Sequence, residues 1–111
     1  MSMGNERRGA PRAEASLPLR LSPDATAQPA TLRNLSTTGL CCDSPVPLDE
    51  MALMGIQLEL SSQAHDIKGV VVRCDKHDGA VGYEVAIYFT EVAPATRKAI
   101  GDFVVKRLEA V

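Results

Sequence analysis

Val70-Val71-Val72-Arg73-Cys74 and Tyr83-Glu84-Val85-Ala86-Ile87-Tyr88-Phe89 stand on either side of Asp75-Lys76-His77-Asp78-Gly79, and this stretch decides the fold. Tyr83, Val85, Ile87 and Phe89 share one face and Glu84, Ala86 and Tyr88 the other, which is the period of a half-buried strand. Val70, Val72 and Cys74 begin a second alternation, and the polar, glycine-containing segment between the two is rich in turn formers. The stretch therefore predicts a β-hairpin.

Working towards the N-terminus, Ile56, Leu58 and Leu60 alternate with Gln57, Glu59 and Ser61 as another strand, while Leu48 to Met54 is apolar without a clear strand period. Asp43 to Leu48 contains two prolines and reads as a loop. A strand over about residues 26–35, weakened by Pro29, is broken by Ser36-Thr37-Thr38-Gly39 before Leu40-Cys41-Cys42. Leu17, Leu19 and Leu21 alternate as well, with Pro18 assigning that strand to an edge or a strand start. Ser22-Pro23-Asp24 follows as a turn.

Beyond the hairpin the period changes. Pro94 suits a first helical turn, and Ile100, Phe103, Val104 and Leu108 recur at helical spacing. Gly101 costs this helix about 1 kcal/mol relative to alanine, so its stability comes largely from packing on the strands. The class is all-β with one terminal helix, arranged as a small antiparallel barrel or sandwich that the helix closes at one end.

A chain of 111 residues holds one domain with an ordinary core, and 45% hydrophobic with 23% charged residues is too apolar for a disordered chain. A net charge of −2 argues against a general polyanion binder, so any anion site is local. Arg7, Arg8 and Arg12 are the local basic concentration. No apolar run approaches the roughly 20 residues that cross a bilayer, and the N-terminus lacks a signal-peptide core, so no membrane insertion and a cytoplasmic location are expected. Cys41, Cys42 and Cys74 make a poor disulfide framework and are expected as reduced thiols, at least one of them packed as a small hydrophobe. His65, His77 and Cys74 lack the spacing of a zinc site, and no nucleophile stands with a base, so no metal, cofactor or catalytic residue is assigned.

Two short elements carry recognition chemistry. Arg8 and Arg12 are four apart in a segment whose Gly9 and Pro11 argue for a loop, and each offers a planar fork for phosphate or for guanine O6 and N7. In Asn34-Leu35-Ser36-Thr37-Thr38-Gly39, Asn34 and Ser36 share a face if the strand continues, and Gly39 permits a turn or a close ligand approach. Taken singly, the first reads more readily as a basic, solubilising terminus and the second more readily as a turn capped by its own polar side chains.

Together, and in this order, they resemble the PilZ domain family, whose marks are an N-terminal RxxxR loop and a later (D/N)xSxxG motif. Gly55 to Leu60, Gly69 to Arg73 and Gly82 to Phe89 before a helix are similar to that family's later strands. The resemblance implies a six-stranded antiparallel β-barrel with a C-terminal α-helix. Its parts would be a flexible end at 1–5, an arginine loop at 6–14, a barrel at 15–90 and a helix at 94–110. It implies cyclic di-GMP as the ligand, clamped between loop and barrel. Arg8 and Arg12 would contact phosphates and guanine Hoogsteen edges, Arg7 would stack or add charge, Asn34 and Ser36 would bond the guanine edge, and Gly39 would keep the turn open. Asn34 stands where Asp is commoner, and an amide offers one acceptor oxygen where a carboxylate offers two.

Ligand binding is expected to order residues 6–14 and to signal to a protein partner downstream. Two other readings stay open: a PilZ-like adaptor that no longer binds nucleotide, and a small barrel that binds single-stranded nucleic acid. Only 4% aromatic residues and the negative net charge count against the second, and no nucleic-acid polymer is expected as a partner.

Overall fold

The predicted hairpin is present and sits in the middle of a closed sheet. The computed structural model describes residues 12–22, 27–78 and 81–109. Its strands are β1 (Ala13–Ser22), β2 (Gln28–Leu35), β3 (Gly39–Ser44), β4 (Leu53–Leu60), β5 (Gln63–Lys76) and β6 (Tyr83–Glu91), followed by the helix α1 (Pro94–Glu109). They form one antiparallel barrel in the order β1-β2-β3-β6-β5-β4. Pairing of β1 with β4, from Leu19 opposite Leu58 to Ser22 opposite Gly55, closes it and decides for a barrel over a sandwich. The expected end at 1–5, the turn at Pro23-Asp24 and Gly79 lie outside the described residues.

Closure leaves no free edge, yet both prolines are accommodated. Pro18 faces Thr31 of β2 while the β1–β4 ladder begins only at Leu19, and Pro29 faces Arg20 while the β2–β3 ladder begins at Thr31. Each proline thus lacks a neighbour on one side, where its missing N–H is not needed.

Inward side chains fill the lumen. Leu21, Leu32, Leu35, Ile56, Val71, Val85 and Ile87 are buried, and each large aliphatic among them contributes about 1.5–3 kcal/mol relative to exposure. Ile100 and Val104 of α1 complete this core, whereas Leu108, read as part of the same face, is exposed. His65 of β5 anchors the helix start, its Nδ1 2.9 Å from Thr96 Oγ1.

Two expectations need correction, and one strand segment was not foreseen. Asp43 and Ser44 belong to β3 and not to a loop, because they pair with Glu84 and Tyr83 of β6. The alternation of Val70, Val72 and Cys74 does not run along one face: Val71 lies opposite Ile87 and Cys74 opposite Val85, so Val72 is the extra residue of a bulge and is 50% exposed. The first half of β5, Gln63 to Lys68, carries no strand signal in the sequence, and its turn from β4 uses Ser61 and Ser62 at φ 51° and 66° without glycine.

At Gly69 a Cβ would stand 2.6 Å from Ile87 Cγ2 and 2.8 Å from the Tyr88 carbonyl oxygen. Gly69→Ala therefore forces β5 and β6 apart, and is expected to cost about 1–3 kcal/mol as overpacking does. The measurement is a urea titration, in which the midpoint falls while the slope stays the same.

Candidate functional site

Strand β2 ends because Ser36 turns its side chain back on the chain. Its Oγ, buried at 1% exposure, accepts from the backbone N–H of Thr38 and of Gly39, both at 3.2 Å. It also lies 3.1 Å from Thr38 Oγ1 and 3.2 Å from the Gly39 carbonyl oxygen, to which it can donate, while Ser36 N donates to that same carbonyl at 2.9 Å. The hydroxyl that the resemblance assigns to a guanine edge is thus occupied within its own turn, as serine side chains are in such turns. Gly39 pairs with Tyr88, and a Cβ there would meet the Ile87 carbonyl oxygen. What needs the glycine is the closeness of β6.

The turn is held from two more sides. Phe89 N donates to the Thr38 carbonyl at 2.9 Å, and Arg97, in the first turns of α1, donates through Nη1 to the Thr37 carbonyl at 3.0 Å.

Asn34 is the member of the motif that faces outward. It is half-buried, opposite Glu14 of β1 and Cys41 of β3. Its Oδ1 accepts from Arg12 Nη1 at 3.2 Å, and the same nitrogen lies 3.6 Å from Cys41 Sγ. The structure therefore brings Arg12 and Asn34 together across 22 residues of sequence. Arg7 and Arg8 lie outside the described residues. Of the segment read as a loop over 6–14, Ala13 and Glu14 are already strand.

Beside this pair runs a polar groove of about 560 Å³ lined by Glu14, Ala15, Ser16, Arg33, Asn34 and Glu84. It opens where both ladders of β2 are irregular, between Glu14 and Leu17 on one side and between Leu32 and Asn34 on the other. Bulges of this kind re-aim side chains. Arg33 was not singled out by sequence reasoning, yet it is held in place: its Nη1 is 3.0 Å from Asp43 Oδ2, and Asp43 Oδ1 is 3.0 Å from His77 Nε2. Its place directly before the motif was the available signal.

All three cysteines are free. Cys42 is fully buried inside the barrel, and burial, with smaller effects from Cys41, Asp43 and Cys74, pushes its thiol up to about 12 from 9.0. Cys74 Sγ accepts from Leu48 N at 3.5 Å, and His77 is turned to Asp43. Among the described residues no group of three or more His, Cys, Asp or Glu is placed to hold a metal. No helix among them is long and apolar enough to cross a membrane.

The PilZ domain model matches residues 6–106. The chain belongs to the PilZ domain family. Solved structures agree on the fold. The inhibitor of motility MotI/DgrA of Bacillus subtilis superposes with a TM-score of 0.85 at 15% identity, over 94% of this chain and 52% of that one. This PilZ domain thus spans about half the length of that protein. The PilZ domain of YcgR from Escherichia coli, solved with c-di-GMP, gives a TM-score of 0.77 at 14% identity over 94% and 93% of the two chains. The PilZ domain of CeSA from a cellulose-synthesizing bacterium gives 0.62 at 16% over 88% and 97%. No curated protein sequence is significantly similar.

Two outcomes test the site's scaffolding. Ser36→Ala strips an acceptor from the Thr38 and Gly39 amides and is expected to destabilise the domain by about 1–3 kcal/mol in a urea titration. The Cys42 thiol of the folded chain loses its proton only near 12 and that of the unfolded chain near 9.0, so its contribution is intact below pH 9 and is lost as pH rises from 9 towards 12. Urea midpoints across that window should fall more steeply for the wild type than for Cys42→Val.

Proposed function

We propose that this PilZ domain is a receptor and adaptor for cyclic di-GMP that acts in the cytoplasm and passes its signal to a protein partner, without catalysing a reaction. The observation that carries the reading is the meeting of Arg12 with Asn34. The last arginine of the RxxxR segment Arg8 to Arg12 reaches the first residue of the Asn34 to Gly39 motif, at 3.2 Å. Such convergence has a chemical use. A guanidinium fork binds phosphate or a guanine Hoogsteen edge bidentately, and an amide beside it bonds a base edge.

The adjacent groove suits a ligand of this size, since sites for small molecules enclose about 300–1,000 Å³. Arg33 adds a second cation to it, held by Asp43. In this reading Arg7 and Arg8 close over the ligand from the other side, and Arg12 exchanges its bond to Asn34 for one to the nucleotide. The bound N-terminal segment then forms or covers the surface that the partner reads, because a ligand shifts an equilibrium only by its differential affinity for the two states. Ser36 and Gly39 serve by holding Asn34 at the mouth of the groove.

Calorimetric titration with cyclic di-GMP tests this. The wild type is expected to release or absorb heat with saturation at micromolar ligand. Arg12→Ala and Asn34→Ala are each expected to weaken binding about 10- to 100-fold, the worth of one good bidentate contact, with the melting temperature of the free domain little changed. A wild-type chain that shows neither heat nor NMR shifts overturns the reading and leaves the adaptor that binds no nucleotide.

A further inference from the structure

We propose that Glu14 reads the guanine base in this groove, supplying the carboxylate that Asn34 does not have. The inference rests on the cyclic di-GMP reading above and names the residue that gives the site its base specificity.

Guanine presents two adjacent donors on its Watson–Crick edge, N1–H and the N2 amino group. A carboxylate accepts both at once, whereas the edge of adenine offers an acceptor at N1 that a carboxylate repels. An amide is a poor substitute. It has one acceptor oxygen, too few for the two donors of guanine. The amide's own N–H groups would face the donors of guanine.

Glu14 is placed to make good the deficit. It lies directly opposite Asn34 in the β1–β2 register, and both line the groove. Cross-strand partners carry their Cβ atoms about 4.5–5.5 Å apart on one face of the sheet, so the longer Glu side chain reaches past Asn34 into the same space. The β1–β2 ladder loses its register immediately after Glu14, which frees this end of β1 to present the side chain. Among the described residues Glu14 enters no ion pair. The other carboxylates nearby are differently disposed. Asp43 is engaged by both Arg33 and His77, and Glu84 lies on β6, opposite Asp43 and Asp75 and not opposite Asn34.

The experiment compares cyclic di-GMP with cyclic di-AMP on the full chain, with melting temperatures confirming that each variant is folded. The wild type is expected to prefer cyclic di-GMP. Glu14→Gln, which keeps the length but leaves one acceptor oxygen, and Glu14→Ala are expected to weaken cyclic di-GMP about 10- to 100-fold and to leave cyclic di-AMP unchanged or improved. Adding Asn34→Asp to Glu14→Ala is expected to restore most of the lost affinity, because the carboxylate returns on the neighbouring strand. A Glu14→Ala chain that binds cyclic di-GMP within about twofold of the wild type, or that loses both dinucleotides alike, overturns the assignment while the receptor reading stands. A wild type that binds neither dinucleotide sinks the receptor reading itself.

Discussion

The geometry of the site depends on how tightly β6 is gripped at the Ile87–Tyr88 peptide. Successive carbonyls of a strand point to opposite sides, so that of Ile87 projects towards β3 and that of Tyr88 towards β5. Each meets a glycine: a Cβ on Gly39 would strike the first, and one on Gly69 would stand 2.8 Å from the second. Two neighbours without side chains let three strands close up at one point. The turn that ends β2 is drawn in with them, tied to Phe89 of β6 and to Arg97 of α1.

That constraint divides the Asn34 to Gly39 motif into parts with different duties. Ser36 and Gly39 answer to the fold, one by satisfying the turn's amides and the other by leaving room for β6. Asn34 presents its amide towards Arg12 and the groove. A sequence can therefore carry the motif for structural reasons. In the receptor reading, recognition is decided by what surrounds Asn34, where the groove mixes Arg33 with Glu14 and Glu84, a balance suited to a ligand with both phosphates and base donors.

What could be read from the sequence follows the same physics. Tyr83 to Phe89 was legible because Val85, Ile87 and Phe89 all face the core without interruption. The first half of β5 was not, since His65 occupies an inward position and its buried bond to Thr96 replaces the apolar contact that a periodic pattern needs. Nor was the β4–β5 hairpin, whose left-handed residues are the serines 61 and 62 where Asn or Gly would advertise the turn. The face of Val72 was misread because a bulge changes phase without leaving a mark in composition. At the site, Arg12 and Asn34 were visible as motif letters. Glu14 and Arg33 were not, because membership in the groove follows from strand register and from two ladder irregularities, which a single sequence does not encode as spacing.

A turn with its inner hydroxyl saturated, its carbonyls taken by β6 and α1, and its glycine pressed against a backbone has little freedom left to lose. Binding against it costs little ordering entropy, which favours affinity, but an element already fixed in one state cannot report that a ligand has arrived. The component able to respond is the one held least. Arg12 is exposed and touches the barrel through one hydrogen bond to Asn34 and a 3.6 Å contact to Cys41. In the receptor reading, a dinucleotide competes for that guanidinium and leaves the barrel as it was. In the receptor reading, the rigid motif accordingly supplies the platform, and the segment that brings the arginines to it carries the message.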